Sequence, residues 1–414
     1  MKDIFKRGKS RIVPIVTAAA VLLIGCGLGK TQSAQEEYQD QKTSIGVSVY
    51  NLADTEVRAF RDYFENYLGE AFDVDFQYSG GIIETEEELA FIDELHEAGI
   101  DGIISFLSTD LDIVLERCDS YGMYYMRGSG TISDKEFQTA KKHGSFLGII
   151  GPSEAAEVQA GRDMAEFFLE KDIPGTAVYI ILSGGAAVGN EMQAFRCEGM
   201  LTALQEQYGF DYPQKIEELA RTSETTKVED GKKQASVVIV PGYLRDGKVS
   251  EELGFLLGGG EQEIVMSTLG VEPVLKDIEA AEKASGRNIL VGSVDCFTEE
   301  NHKWFHTKDP TGDNMLDYLI GKYGATVGPA FAAMYNALNG DEDLLKVNGE
   351  PFRLEQAFWT ADSQASFDEQ YDSSVNMYDN TYSVKSLQSV IRKINPEAEF
   401  EDLKELTEQQ GQSK

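Results

Sequence analysis

Polar and aromatic side chains recur immediately after short apolar runs along the chain. Tyr50, Asn51, Asp54, Ser108 and Arg127 do so in its first part, and Asn190, Arg196, Thr268, Asp295 and Lys322 in its second. If the apolar runs are strands of open parallel sheets, these residues lie at the carboxyl ends, where such sheets collect ligands. The set suits a polyol. An aromatic face covers apolar C–H surfaces, while Asp, Asn and Arg fix hydroxyls through charge-assisted hydrogen bonds.

Other chemistries find less support. His302 and His306 stand four apart, which places both on one helical face, but the zincin Glu is missing and no third ligand is evident. No metal or cofactor is therefore expected. Gly29-Lys30-Thr31 imitates the end of a phosphate loop, yet its first glycine would fall at Ile24. Neither a G-x-S-x-G elbow nor an S-x-x-K pattern is present, and no enzyme is expected. Acidic pairs such as Glu87-Glu88 read as solvated faces in so acidic a chain. Cys118, Cys197 and Cys296 have no short spacing and imply no disulfide framework.

The elements that must position these residues alternate. Ser44–Tyr50, Phe72–Tyr78, Asp101–Phe106 and Met123–Met126 read as strands. Amphipathic helical patterns follow them, with Phe60, Phe64, Tyr67 and Leu68 on one face and Leu89, Ile92 and Leu95 on another. A second series begins at Phe146–Ile150 and continues through Thr176–Leu182, Lys215–Ala220, Ser236–Val240, Glu263–Thr268, Asn288–Ser293 and Leu316–Ile320. Residues 222–260 are less regular and resemble inserted loops around Ser236–Val240. Pro329 opens a further helix, Pro351–Trp359 is a late strand candidate, and Val384–Ile394 and Phe400–Glu408 are amphipathic helices. Alternation of this kind builds parallel sheets with right-handed crossovers, here in two lobes of similar size.

The 414 residues carry a formal charge of −34, which argues against nucleic acid as a partner. Five basic residues (Lys2, Lys6, Arg7, Lys9, Arg11) precede the apolar segment Ile12–Ile24. Its 13 residues fall short of the roughly 20 needed to span a bilayer, and the arrangement is that of a secretory signal. The ending Leu23-Ile24-Gly25-Cys26 resembles the lipobox of bacterial lipoproteins, which implies lipidation of Cys26 at the outer face of the cell membrane. Residues 26–43 are polar and read as a tether.

Several features agree: the lipobox, two α/β series, Arg196-x-Glu198-Gly199 on a helix early in the second series, and Gly292-Ser293-Val294-Asp295 ending a late strand. Together they resemble a type I solute-binding protein of an ABC importer, whose fold is shared with LacI-type regulators. The missing helix-turn-helix and the leader exclude the regulator. The resemblance implies two Rossmann-like lobes with parallel sheets, joined by a three-crossover hinge. The lobes would comprise residues 44–150 plus 323–346 and residues 151–322 plus 347–400, with a tail at 401–414. It also implies a monomer that captures a small solute, a sugar, between the lobes and delivers it to permease subunits. The alternative output is a sensory lipoprotein that presents its occupancy to a membrane histidine kinase. Arg196 and Asp295 match the family's paired ligand contacts. Leu269-Gly270 replaces the Asn-Asp pair of many sugar binders, and Lys322 stands where Gln is common.

Overall fold

The computed structural model describes residues 42–107, 109–171, 176–187, 191–243, 249–257, 262–375 and 382–408. The lipobox, Ser108 and Asn190 lie outside them. The first lobe opens with β1 (Thr43–Val49), β2 (Val74–Gly81), β3 (Gly102–Ser105), β4 (Tyr124–Arg127) and β5 (Phe146–Gly151). The second contains β6 (Ala177–Leu182), β7 (Thr226–Glu229), β8 (Ala235–Val240), β9 (Gln262–Ser267), β10 (Leu290–Phe297) and β11 (Tyr318–Tyr323). Two late strands, β12 (Phe352–Glu355) and β13 (Trp359–Ala361), join different sheets. The strand orders are β12-β5-β4-β3-β1-β2 and β13-β11-β10-β9-β6-β8-β7. All pairs are parallel except the two at the outer edges of the second sheet, β7 with β8 and β13 with β11.

Hydrophobic patterning explains the strand order. β3, β5 and β8 are buried along their whole length, as strands covered by helices on both faces must be. The edge strands β7 and β12 alternate between covered and exposed residues instead. One continuous core runs from Ile45, Val47 and Leu147 through Phe331 and Tyr323 to Val265 and Leu319. Two further clusters fill the opposite faces of the sheets, around Tyr125 and Phe146 and around Tyr179 and Met200.

The chain leaves the first sheet after β5, returns after β11, and crosses again between β12 and β13. The last crossing was expected at Val347–Pro351, with residues 347–400 in the second lobe and 401–414 as a tail. That boundary is corrected. Phe352 and Leu354 are buried in the first sheet through the pairing of β12 with β5, so the crossing falls between Glu355 and Trp359. After β13 and the Gln364–Val375 helix of the second lobe, the C-terminal helices Val384–Ser389 and Phe400–Glu408 lie on the first lobe, against the Gly328–Leu338 helix. One element assignment and the reading of one acidic pair are corrected as well. Residues 215–220 contain a short helix, Ile216–Leu219, because Leu219 and Ala220 are buried side by side and no strand alternation exists. Glu88 is wholly buried and accepts hydrogen bonds from Ser105, Thr109 and Tyr125, whereas Glu87 caps its helix at the surface.

The hinge is aromatic. The ring of Tyr323 stacks on Trp359 at 3.8 Å, and Gln356 donates to the carbonyl of Thr326 (3.0 Å) and to the hydroxyl of Tyr382 (2.9 Å). Among the described residues no helix is long and apolar enough to cross a membrane. Cys118, Cys197 and Cys296 are buried free thiols.

Candidate functional site

The carboxyl ends of β1, β10 and β11 face one another, and the residues there form one electrostatic group. After β1, a tight loop leads into the Thr55–Asp62 helix. Asn51 Oδ1 accepts from the amide of Ala53 (3.0 Å), and Asp54 caps the helix by accepting from the amides of Glu56 and Val57 (2.9 and 3.4 Å). Both side chains therefore shape the loop. Their caps turn Tyr50 and Glu56 toward the second lobe, and the Tyr50 hydroxyl donates to Glu56 Oε2 at 3.3 Å. Tyr50 remains 38% exposed, large for a residue so deeply flanked by protein. Burial, then the charges of Glu56, Asp54 and Asp295, push its hydroxyl well above the usual phenol range. Burial also raises the Glu56 carboxyl, which Lys322 opposes.

From the second lobe, Asp295 approaches the same space. Desolvation raises its carboxyl to about 7, against the lowering effect of bonds from Asn301 Nδ2 (2.9 Å) and the amide of Cys296 (2.7 Å). Glu56 and Asp54 add to the rise. Leu269-Gly270, the departure seen in the sequence, has a steric reason. A β-carbon on Gly270 would lie 2.8 Å from Asp295 Oδ2, so a side chain there would displace the carboxylate. Lys322, at the end of β11, is buried and donates to Ser129 Oγ of the first lobe at 2.5 Å. Desolvation lowers its ammonium while Glu56 and Glu157 hold it up. Among the described residues no carboxylate pairs with it directly.

Arg196 is the most constrained member. Its Nε donates to Glu157 Oε2 (2.6 Å) and its Nη1 to the carbonyl of Thr268 (2.8 Å). Glu157 in turn accepts from Thr131 (2.9 Å). Backbone geometry makes this reach possible. The Glu154–Leu169 and Glu191–Tyr208 helices touch main chain to main chain: a β-carbon on Gly199 would lie 1.9 Å from the carbonyl of Val158, and one on Gly161 would lie 1.8 Å from that of Arg196. The Arg-x-x-Gly spacing thus has a packing meaning as well as a chemical one. Phe358, on the last hinge link, lies 5.8 Å from the Arg196 guanidinium and 6.0 Å from the Lys322 ammonium.

Of the ten residues expected from sequence, Tyr50, Asp54, Arg196, Asp295 and Lys322 come together. Thr268 Oγ1 donates to the carbonyl of Leu182 at 3.1 Å, and its own carbonyl accepts from Arg196. Asn51 stands at the rim. Arg127 has Nη2 on the carbonyl of Thr109 (3.3 Å) and a buried Nε that has no partner among the described residues. Glu56, Ser129, Glu157 and Phe358 were missed. Glu56 carried a usable signal, two residues beyond the cap Asp54. The others meet the site only through tertiary packing.

No protein-family model matches the chain, and no curated protein matches its sequence. Solved structures do match in fold. A periplasmic sugar-binding protein from Pseudomonas fluorescens is 14% identical, with a TM-score of 0.57 over 87% of this chain and 99% of its own. A galactofuranose-binding protein is 14% identical, with a TM-score of 0.56 over 81% and 99%. An ABC transporter solute-binding protein from Bacillus halodurans C-125, with bound myo-inositol, is 16% identical, with a TM-score of 0.53 over 80% and 97%. The chain has their fold, the two-lobed α/β architecture of type I periplasmic binding proteins.

Proposed function

We propose that this chain is a lipid-anchored extracellular solute-binding protein of an ABC importer, which captures a neutral sugar between its lobes for a membrane permease. One observation carries the reading. Tyr50 and Glu56 of the first lobe lie within electrostatic reach of Asp295 and Lys322 of the second, at the carboxyl ends of both sheets. A ligand there touches both lobes at once. The sugars bound by structures of the same fold support the class.

The charges favour a neutral ligand. Arg196 is already neutralised by Glu157. Lys322 then faces Glu56, and Asp54 and Asp295 act on one another and on Tyr50 close by, so the space left for a ligand is net acidic. An added carboxylate or phosphate would meet repulsion, whereas sugar hydroxyls can donate to the acids and accept from Lys322 and Arg196. The test is a thermal-shift screen of neutral sugars, sugar acids, nucleosides and amino acids. A neutral sugar at 100 times its dissociation constant should stabilise the fold by about 2.7 kcal/mol. A shift confined to sugar acids would reject the charge argument.

Anchoring follows from the leader. Cys26→Ala should leave an unprocessed precursor or release the protein from membranes, as seen by fractionation and the mass of the N-terminal peptide. A variant that matures and fractionates like wild type would reject the lipid anchor.

A further inference from the structure

We propose that His302, His306 and Asp368 form a binding site for a divalent transition-metal ion, for which zinc is the best-suited. The two histidines lie one turn apart on the Glu299–His306 helix, with ring centroids 4.6 Å apart. The third ligand, invisible in the sequence pattern, comes from the Gln364–Val375 helix, 62 residues beyond His306. Both Nε2 atoms face the same oxygen, Asp368 Oδ1, at 2.9 and 2.6 Å. Imidazole with carboxylate is a donor set that zinc accepts, and three protein ligands leave a fourth position for water.

The dimensions fit. All three ligand atoms lie within 4.8 Å of one another. Tetrahedral bonds of about 2.0–2.1 Å would separate them by roughly 3.3 Å, so the N···O separations of 2.9 and 2.6 Å open by about 0.4 and 0.7 Å to admit the ion. Without the ion both Nε2 atoms face one carboxylate oxygen; with it each neutral imidazole would bind through Nε2 and carry its proton on Nδ1. The surroundings are prepared for a cation. Tyr371 stacks on His302 at 4.5 Å and fixes its ring, and Glu299, Glu300 and Asp372 add negative charge around Tyr371. The ligands are about one-third to two-fifths exposed, open to ions from solvent. The ion would fasten the last helix of the second lobe to the helix whose Asn301 holds Asp295.

The test needs no sugar. The secreted chain, purified without a polyhistidine tag, is titrated with Zn2+ by calorimetry and with Co2+ by visible absorption. One equivalent of Zn2+ should bind and raise the melting temperature, and Co2+ should give the intense bands of a four-coordinate site. His306→Gln and Asp368→Asn should each weaken binding by more than about 100-fold, beyond the loss of an outer-shell partner. His302→Gln is an independent check if either variant fails to fold. Wild type that binds less than one equivalent, or variants that bind as wild type does, would overturn the site.

Discussion

Arg196→Met should lose about 3–5 kcal/mol of unfolding free energy, because it strands the carboxylate of Glu157 without its partner. The side chains of Arg196 and Glu157 are 6% and 0% exposed, so water cannot replace the lost bond. Among the described residues Thr131 alone remains to satisfy Glu157. Under the proposed function, in which the guanidinium held by Glu157 and Thr268 donates to the ligand, the same variant should no longer bind sugar. Stability and binding separate in the double variant Glu157→Leu/Arg196→Met. Replacing a buried ion pair by apolar side chains of similar size is often neutral or stabilising, so the double variant should regain most of the stability. It should still fail to bind. Chemical denaturation and calorimetric titration of the three proteins read both quantities. A double variant that binds as wild type does would reduce Arg196 to a structural brace.

Asp295→Ala should weaken the sugar by about 10- to 150-fold, which corresponds to the roughly 1.5–3 kcal/mol of a hydrogen bond involving a charged group. The carboxyl is held by Asn301 and the Cys296 amide, and Gly270 leaves space for it, so little rearrangement is expected on binding. Removing it should leave the fold almost unchanged, because its burial raises its carboxyl to about 7 and its charge is a cost to the folded state. Lys322→Gln provides the contrast. Ser129 can accept from an amide as it does from the ammonium, so the loss should be mild for a neutral sugar. A severe loss in Lys322→Gln with a mild one in Asp295→Ala would point to an anionic ligand. Unchanged affinity in Asp295→Ala would remove the site from this end of the sheets.

Much of the fold was legible because it is local. Parallel strands buried on both faces read as apolar runs, and β5 and β8 show it most plainly. The edges were harder. β12 is four residues long and exposes alternate side chains, so nothing in its own sequence says which sheet it extends. The C-terminal helices bury faces that any partner could cover, and their docking on the Gly328–Leu338 helix depends on Asn336, which donates to the carbonyl of Val390 and accepts from the amide of Arg392. In the site, residues that follow strands were visible and those that approach from elsewhere were not. Glu88 and Glu157 are buried carboxylates in a chain whose other acids mostly face solvent, and only their partners distinguish them. The His302–His306 pair looked incomplete for the same reason, its third member lying on a distant helix.

The central claim is that one ligand bridges two lobes, and small-angle scattering tests it most directly. A ligand that contacts both lobes favours the closed form by its differential affinity alone. With a saturating neutral sugar from the screen, the radius of gyration of wild type should fall relative to the ligand-free protein, and Glu157→Leu/Arg196→Met should show no change under the same conditions. An unchanged profile of wild type at saturation proven by calorimetry would contradict capture between the lobes.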